Sequence, residues 1–452
     1  MTSMFGHNVR SDLVILYIAE TFAVFLAVYW LTALGFAQSA PVDHGKAGLV
    51  AGALALCSGL VSGASGLYQP EVLSRSRRLA SGALVAGLLL LLAAWLSLQI
   101  FAPPLEGVSL CSAVAGVVLG CVAGVAGTRL AFIIASRRGL LKRRLIIIRD
   151  PRRPLAAERD VGAEEARLSP FEIAVASSGS ATLGEELHPA RLRAQHIWAV
   201  VAADPAAITP RIRRQCRAAG VRILTEAEFH EARINRVACD TLPLDWLGTA
   251  RGANESRLEA ALRRGFDILV GLSLLLLALP VLLIAAVIIK LDSPGPVFYR
   301  QERSGQHGRV FTLYKFRSMI VNAEQGGKAL WASKSDPRVT RFGRIMRLTR
   351  IDELPQILNV LRGDMAIVGP RPERPSFVEQ LGLAIPHYND RACLKPGITG
   401  WAQVNYPYGA SVEDARMKLA YDLYYVRRRS LFLDLLILVA TVRVVLFQEG
   451  AR

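Results

Sequence analysis

Residues 266–296 read FDILVGLSLLLLALPVLLIAAVIIKLDSPGP. The apolar part, about 266–290, is long enough to cross a hydrocarbon core of roughly 30 Å. Pro280 sits near its middle, where it removes one backbone hydrogen bond and clashes with the carbonyl four residues back. A kinked transmembrane helix is one reading, since proline is tolerated there. The flanks favour another. Arg263 and Arg264 precede the run, and Lys290, Arg300, Arg303 and Arg309 follow it. Basic residues at both ends suit a re-entrant helix that enters a membrane, breaks at Pro280 and leaves on the same face.

Four more apolar runs lie upstream, at about 13–37, 47–68, 80–102 and 109–135. Each is long enough to span. Basic residues mark alternate linkers: Arg10 before the first run, three arginines in YQPEVLSRSRRLA, and SRRGLLKRRL after the fourth. The linker FAPPLEGVS carries none. Positive charge marks the cytoplasmic side, so both ends of this four-helix bundle are expected inside. The first run is too long for a cleaved signal, despite the small residues of GFAQSA.

The bulk composition agrees with a membrane protein: 52% of residues are hydrophobic and 20% charged, with a formal net charge of +17. Arginine supplies nearly all of that charge, which fits phosphate-bearing partners or an anionic lipid surface. Six dispersed cysteines without a CxxC pair, and histidines without ligand spacing, argue against a zinc site or a disulfide framework.

Between 138 and 250 the chain turns soluble. RLIIIRD, FEIAVAS, HIWAVVAAD and VRIL alternate with polar or helix-favouring stretches, as in a small wound α/β module with a parallel sheet. The turn after its first strand, RDPRRPLA, has no glycine, and neither GxGxxG nor GxxxxGK[ST] occurs in the chain. This Rossmann-like module is therefore read as structural or regulatory, and as a candidate contact for a homodimer. Three domains follow: a four-helix transmembrane bundle at 1–137, the α/β module at 138–250, and a membrane-bound domain at 251–452.

The last domain carries the chemistry. From Gln301 to Pro375 there are 14 Lys/Arg against 7 Asp/Glu, among Gly-rich turns whose amides can approach phosphate. Nucleic acid is disfavoured, because ring-stacking aromatics are sparse. Within this block, RLTRIDELPQILNV (347–360) sets Asp352 and Glu353 side by side before Pro355. Leu354, Ile357, Leu358 and Leu361 have helical spacing, and proline is tolerated only in a first turn. Asp352 is thus expected at or near an N-cap, ionised, with Glu353 just inside. Neighbouring helical residues point about 100° apart, so one acid can face a reacting phosphorus while the other reaches a hard cation such as Mg²⁺. Taken alone, the pair reads first as a plain capped helix start with a surface glutamate.

The pieces RRGFD, SPGPVFYRQERSG, YKFRSM, DPRVTRFGRIMR, IDELPQILNVLRGDM, VGPRPERP, KPGITGWAQVNY and YDLYYVRRRSLFLDLLIL stand in order from about 263 to 446. That series resembles the bacterial polyprenyl-phosphate hexose-1-phosphate transferases, the monotopic phosphoglycosyl transferases. The preceding four spans and α/β module resemble the large members that initiate exopolysaccharide or O-antigen assembly. The resemblance implies a UDP-sugar donor, a polyprenyl phosphate acceptor, release of UMP, Mg²⁺ as cofactor, and the bacterial inner membrane with the catalytic domain facing the cytoplasm. It implies Asp352 as the nucleophile that forms a covalent phosphosugar, with Glu353 its partner at the metal. Lys315, Arg317, Arg347, Arg371 and Arg374 stand in motifs that such proteins use around phosphate and nucleotide. Two positions depart from the family pattern: Leu279 before Pro280 and Ala366 in GDMAIVGP, where serine is common. The terminal run SLFLDLLILVATVRVVLF, interrupted by Asp434 and Arg443, is expected along the interface. A membrane-anchored nucleotide-sugar dehydratase would need a Gly-rich loop and a Tyr-x-x-x-Lys pair, and both are absent. A non-enzymatic assembly scaffold is the other alternative, against which the intact acidic pair weighs.

Overall fold

The computed structural model describes residues 2–4, 7–9, 11–36, 44–68, 76–101, 110–149, 171–177, 183–202, 208–239, 242–243, 245–321, 338–407, 409 and 411–447. They gather into two compact units. Apart from Met4–His7, which group with the second, the first runs to Arg233 and the second from Ile234 to Arg452.

The first unit opens with four apolar helices, α1 (Ser11–Phe36), α2 (His44–Ala64), α3 (Ser76–Phe101) and α4 (Leu110–Arg137). All four are long and apolar enough to cross a membrane. Their shared core is built from small and branched side chains: Val24, Val28, Val50, Leu54, Leu90, Ala94, Val117 and Cys121. Gly120 and Gly124 on α4 let α1 approach closely; a Cβ at Gly124 would lie 2.9 Å from the Val24 side chain and 3.0 Å from its backbone. Fully buried Glu20 of α1 accepts hydrogen bonds from Ser62 (2.9 Å) and Tyr68 (3.0 Å), and pairs with Arg129 of α4 at 3.2 Å. Inside a bundle such a charge persists only when paired and hydrogen-bonded, as here.

Four strands follow: β1 (Arg143–Arg149), β2 (Phe171–Ser177), β3 (Ile197–Ala202) and β4 (Arg222–Thr225). They form one parallel sheet in the order β2-β1-β3-β4, with Arg143 opposite Phe171 and Ala199 opposite Arg222. Successive residues of β1 alternate between two cores. Ile146 and Ile148 pack with Leu187, Leu192, Ile212 and Cys216, and Leu145 and Ile147 with Phe171, Val201 and Phe229. Both faces are covered, as the continuous apolar runs of a parallel sheet require. The glycine-free turn after β1 lies outside the described residues.

The second unit begins before residue 250. Cys239, Trp246 and Ala250 are buried in its core, and the Trp246 indole donates to Asp390 at 2.7 Å. The segment 234–250, expected as the tail of the α/β module, thus packs with the last domain. Helix α5 (Arg257–Asp292) opens with a Ser256–Glu259 capping box and runs as one continuous helix across Pro280. The expected break is not seen. Proline removes a single intrahelical bond, and an apolar environment offers no solvent to satisfy a fully opened turn. Both ends of α5 are nevertheless attached to this one unit. Near its start, Arg264 donates to the carbonyls of Val360 (2.6 Å) and Leu361 (2.7 Å), and Asp267 accepts from Ile367 N at 2.9 Å. Near its end, Ala285 and Ile289 pack with Phe316 and Met346. Between these attachments Leu272, Leu276, Leu277, Leu279 and Leu283 are exposed.

A hairpin, β5 (Phe298–Ser304) and β6 (Val310–Phe316), follows, then helix α6 (Arg341–Thr349), a 3₁₀ turn (Ile351–Gln356) and helix α7 (Ile357–Arg362). Short strands β7 (Ala366–Val368) and β8 (Gly397–Thr399) pair in parallel, with helix α8 (Pro375–Ala384) between them in sequence. Helices α9 (Val412–Arg428) and α10 (Leu431–Leu446) close the unit. At 16 residues α10 is shorter than a span, and its charges are buried: Asp434 pairs with Arg263 and accepts from Tyr425, while Arg443 donates to Val404 O.

Candidate active site

The turn carrying Asp352 and Glu353 differs from the expected α-helical N-cap. Arg350 adopts a left-handed conformation (φ 59°, ψ 15°), and the acids lie in the 3₁₀ turn before α7. Pro355, with no N–H to donate, suits this tight start. Asn359 fixes the turn over the hairpin. It is fully buried, donates to Thr312 O at 2.8 Å and accepts from Tyr314 N at 3.1 Å, which ties α7 to β6. The acids therefore face Lys315, the next residue on that strand.

Lys315 Nζ lies 2.8 Å from Glu353 Oε1, and Arg371 donates to the same oxygen at 3.0 Å. Asp352 is 7% exposed, and its Oδ1 is buried without a hydrogen-bond partner. The two neighbours consequently ionise in opposite directions. Burial, then the adjacent Glu353 charge, push the Asp352 carboxyl up to about 6, against the pull of Lys315, Arg347 and Arg350. Burial would also raise Glu353, but Lys315, Arg371 and Arg350 together hold it well below the usual carboxylate range.

Arg371 lies in the loop after β7. Gly369, Gly397 and Gly400 allow that loop to be crossed at close range: a Cβ at Gly397 would stand 2.1 Å from Gly369 N, and one at Gly400 2.1 Å from Gly369 O. A cavity of about 310 Å³ adjoins the acidic turn. Its lining mixes charged side chains, Arg350, Arg371, Arg391 and Lys418 with Glu353, Glu373 and Asp422, and apolar ones, Leu274 of α5 and Val444 and Val445 of α10; Asp352 lies beside it rather than in its wall. A second cavity, of about 500 Å³, reaches Arg371 and Arg391 from the far side, lined by the Ser304–Gly308 turn and the Tyr388–Cys393 segment.

The bacterial sugar transferase family model matches residues 258–448. A relative from Rhizobium leguminosarum bv. phaseoli, an exopolysaccharide production protein, is 42% identical over 193 residues, covering 41% of this chain and 95% of that protein. The chain belongs to the bacterial sugar transferases. It is also 44% identical over 238 residues to a UDP-N-acetylgalactosamine-undecaprenyl-phosphate N-acetylgalactosaminephosphotransferase of Aeromonas hydrophila, covering 53% of this chain and 55% of that one. To a UDP-glucose:undecaprenyl-phosphate glucose-1-phosphate transferase of Xanthomonas campestris pv. campestris it is 50% identical over 174 residues, 38% of this chain and 36% of the other. The chain thus spans about half or less of the length of these two relatives.

Within this sugar transferase, the motif residues separate into two groups. Lys315 and Arg371 converge on Glu353, and the charge of Arg347, at the end of α6, is felt by Asp352. Arg317 is used elsewhere: its guanidinium donates to Pro294 O (3.0 Å), Ser293 O (2.6 Å) and Ser293 Oγ (2.9 Å), capping the end of α5. Arg374 lines neither cavity, and its charge acts on Arg303. Sequence reasoning missed Asn359, Arg391, Lys418 and Asp422, whose partners lie in distant segments.

Proposed function

We propose that this protein transfers a sugar-1-phosphate from a UDP-sugar to a polyprenyl phosphate and releases UMP, as a first membrane step of exopolysaccharide, capsule or O-antigen assembly. The observation that carries this reading is the juxtaposition of a buried carboxylate with an unpartnered oxygen, Asp352, and a cation set gathered by its neighbour Glu353. A carboxylate that titrates near 6 is largely ionised at neutral pH yet poorly stabilised, which favours nucleophilic attack. An Asp352 oxygen would bond to the β-phosphorus, the bond to the bridging oxygen would break, and UMP would leave with the electron pair. An oxygen of the lipid phosphate would then take the phosphosugar and regenerate the carboxylate. Lys315, Arg350 and Arg371 supply the charge neutralisation on which phosphoryl transfer depends. The amphipathic cavity beside the turn would take phosphate against its arginines and prenyl chain along Leu274, Val444 and Val445.

Mg²⁺ fits this site through Asp352, whose bare buried Oδ1 is a hard ligand without a competing donor. Among the described residues no group of three or more acids, histidines or cysteines forms a cage, as suits a cation held largely by water and substrate phosphate. Bound there, Mg²⁺ would neutralise pyrophosphate charge. Glu353 Oε1 is occupied by Lys315 and Arg371, so Glu353 acts chiefly as the anchor of those cations.

The membrane arrangement supports the same reading. A bilayer cannot separate the two ends of α5 when both are fixed to one folded unit, so α5 would dip into the membrane from one face and hold the site at headgroup level. The basic linkers of the sequence support a reading in which that face is the cytoplasmic side of a bacterial inner membrane. The test is UMP release from membranes given a panel of UDP-sugars and undecaprenyl phosphate, with the intact chain and with Asp352→Asn. Release by the intact chain and loss in the variant support the assignment. Equal release by both would overturn the nucleophile.

A further inference from the structure

The loop that presents Arg371 reads Pro370-Arg371-Pro372. Two of its three residues lack an N–H, so the loop has almost no backbone donors with which to fix itself. It is held instead by its carbonyls, one after another. Pro370 O accepts from Gly397 N at 2.9 Å, Arg371 O from Arg391 at 2.7 Å, and Pro372 O from Arg303 at 3.1 Å. Of these, the Arg391 contact is made at the residue whose own guanidinium reaches Glu353.

Arg391 is itself aimed. Its guanidinium, 11% exposed, pairs with Asp422 of α9 at 2.9 Å and donates to Tyr388 OH at 3.2 Å. The Asp422 side chain is 3% exposed. Arg391 also lines both cavities, beside Arg371 and Glu373, so it forms part of the wall that separates them. A guanidinium in that position without a fixed counter-charge would be free to swing into either cavity and leave the Arg371 carbonyl unpaired. Asp422, presented by a 17-residue capped helix, prevents this.

We propose that Asp422 and Arg391 are positioning residues: they hold the backbone of Arg371 so that its guanidinium meets Glu353, and thereby set the rate of transfer at Asp352. The proposal rests on the phosphoglycosyl transfer reading above. The carboxylate neutralises and orients Arg391, Arg391 clamps the loop, and the loop delivers the cation. Asp422 also lines the smaller cavity, yet none of the three links requires it to touch substrate.

The experiment is a double-mutant cycle on the full chain in membranes, reading kcat and KM for UMP release. Asp422→Asn is measured in the intact protein and again in an Arg371→Ala background. In the intact protein kcat should fall by up to about 100-fold, the scale of a small misplacement at a reacting centre, with KM changing less. In the Arg371→Ala background the same substitution should cost almost nothing further, because the guanidinium it positions is gone. Asp422→Glu, which keeps the charge, should restore part of the loss. Tyr388→Phe loosens Arg391 without stranding a charge and should show the same background dependence with a smaller effect, which covers the case that Asp422→Asn does not accumulate. An equal fold-loss in both backgrounds would make Asp422 a general structural residue and overturn the proposal. An intact chain that releases no UMP from any UDP-sugar would instead overturn the transfer reading, and this proposal with it.

Discussion

Asp352→Asn should abolish turnover and, at neutral pH, make the protein more stable. The Asp352 carboxyl is carried from its ordinary 3.8 to about 6, first by burial and second by the charge of Glu353. A carboxyl with its folded pKa above its unfolded one binds more protons in the folded state between those values. Stability is therefore lost as pH rises from about 4 to about 6, and the loss is complete above that. The size of the displacement corresponds to roughly 3 kcal/mol.

Asparagine has the same shape and no charge, so it removes this penalty at pH 7.5. Its amide must still be buried among few partners, which returns part of the gain. A net stabilisation of about 1–3 kcal/mol remains, on the order of several degrees in Tm for a domain of this size. The assay is thermal unfolding of the detergent-solubilised protein with EDTA present, because a bound cation would stabilise the carboxylate by mass action. The intact and substituted proteins are compared at pH 7.5 and at pH 5.0. The variant should lead at pH 7.5, and the gap should shrink at pH 5.0, where the intact carboxyl is protonated. Equal midpoints at pH 7.5, or a gap that widens on acidification, would refute the account of Asp352 as an unstably ionised acid.

In the cation-free protein the Asp352 carboxyl should titrate with its midpoint near 6, read from the pH dependence of Tm in EDTA, and Glu353→Gln should move that midpoint to lower pH by removing the second-largest cause of the rise; movement upward would contradict the geometry. Asn359→Ala should destabilise the protein by about 1–3 kcal/mol, because it strands buried backbone groups on β6, and the loss is read as a fall in Tm. In the bundle, Arg129→Met should cost about 3–5 kcal/mol by leaving Glu20 charged and unpaired, whereas Glu20→Gln with Arg129→Met should recover most of it, as heat-induced aggregation would report. Single cysteines before Arg263 and after Ser293 should label from the same face of sealed vesicles; labelling from opposite faces would remove the one-sided arrangement of α5.

The readable parts of the chain were those in which one local rule decides. The runs of β1 to β4 are β-branched and short, and they become a parallel sheet. The four upstream apolar stretches become four long helices. Pro355 announced a helix start, although the turn proved to be 3₁₀, a distinction of hydrogen-bond geometry that spacing cannot register. Lys315 and Arg317 look alike in YKFRSM, yet one meets Glu353 and the other caps α5. Their difference lies in which element packs beside the end of β6, information held by a helix that ended at Asp292, well before the strand begins. Arg391 and Asp422 gave no local signal at all, because their pairing exists only once α9 packs beneath the Tyr388–Cys393 turn. At Pro280 the local rule was overruled: a missing backbone bond marks where a helix can break, but the attachments at its two ends decide where it goes.

The acidic pair shows why adjacency is useful here rather than merely tolerated. Two like charges on one turn cannot both be stabilised, and the site resolves this by giving both close cations to one of them. Glu353 takes Lys315 and Arg371 on a single oxygen and stays ionised. Asp352 feels the charges of Lys315, Arg347 and Arg350 without a hydrogen bond to its Oδ1. In the proposed mechanism, a bond from this carboxylate to phosphorus would remove the charge that made it costly, with the cations anchored on Glu353 close at hand. On that mechanism, the same repulsion that raises Asp352 would favour attack. On this account Glu353→Gln harms transfer twice, by lowering the drive on Asp352 and by releasing Lys315 and Arg371 from their shared oxygen.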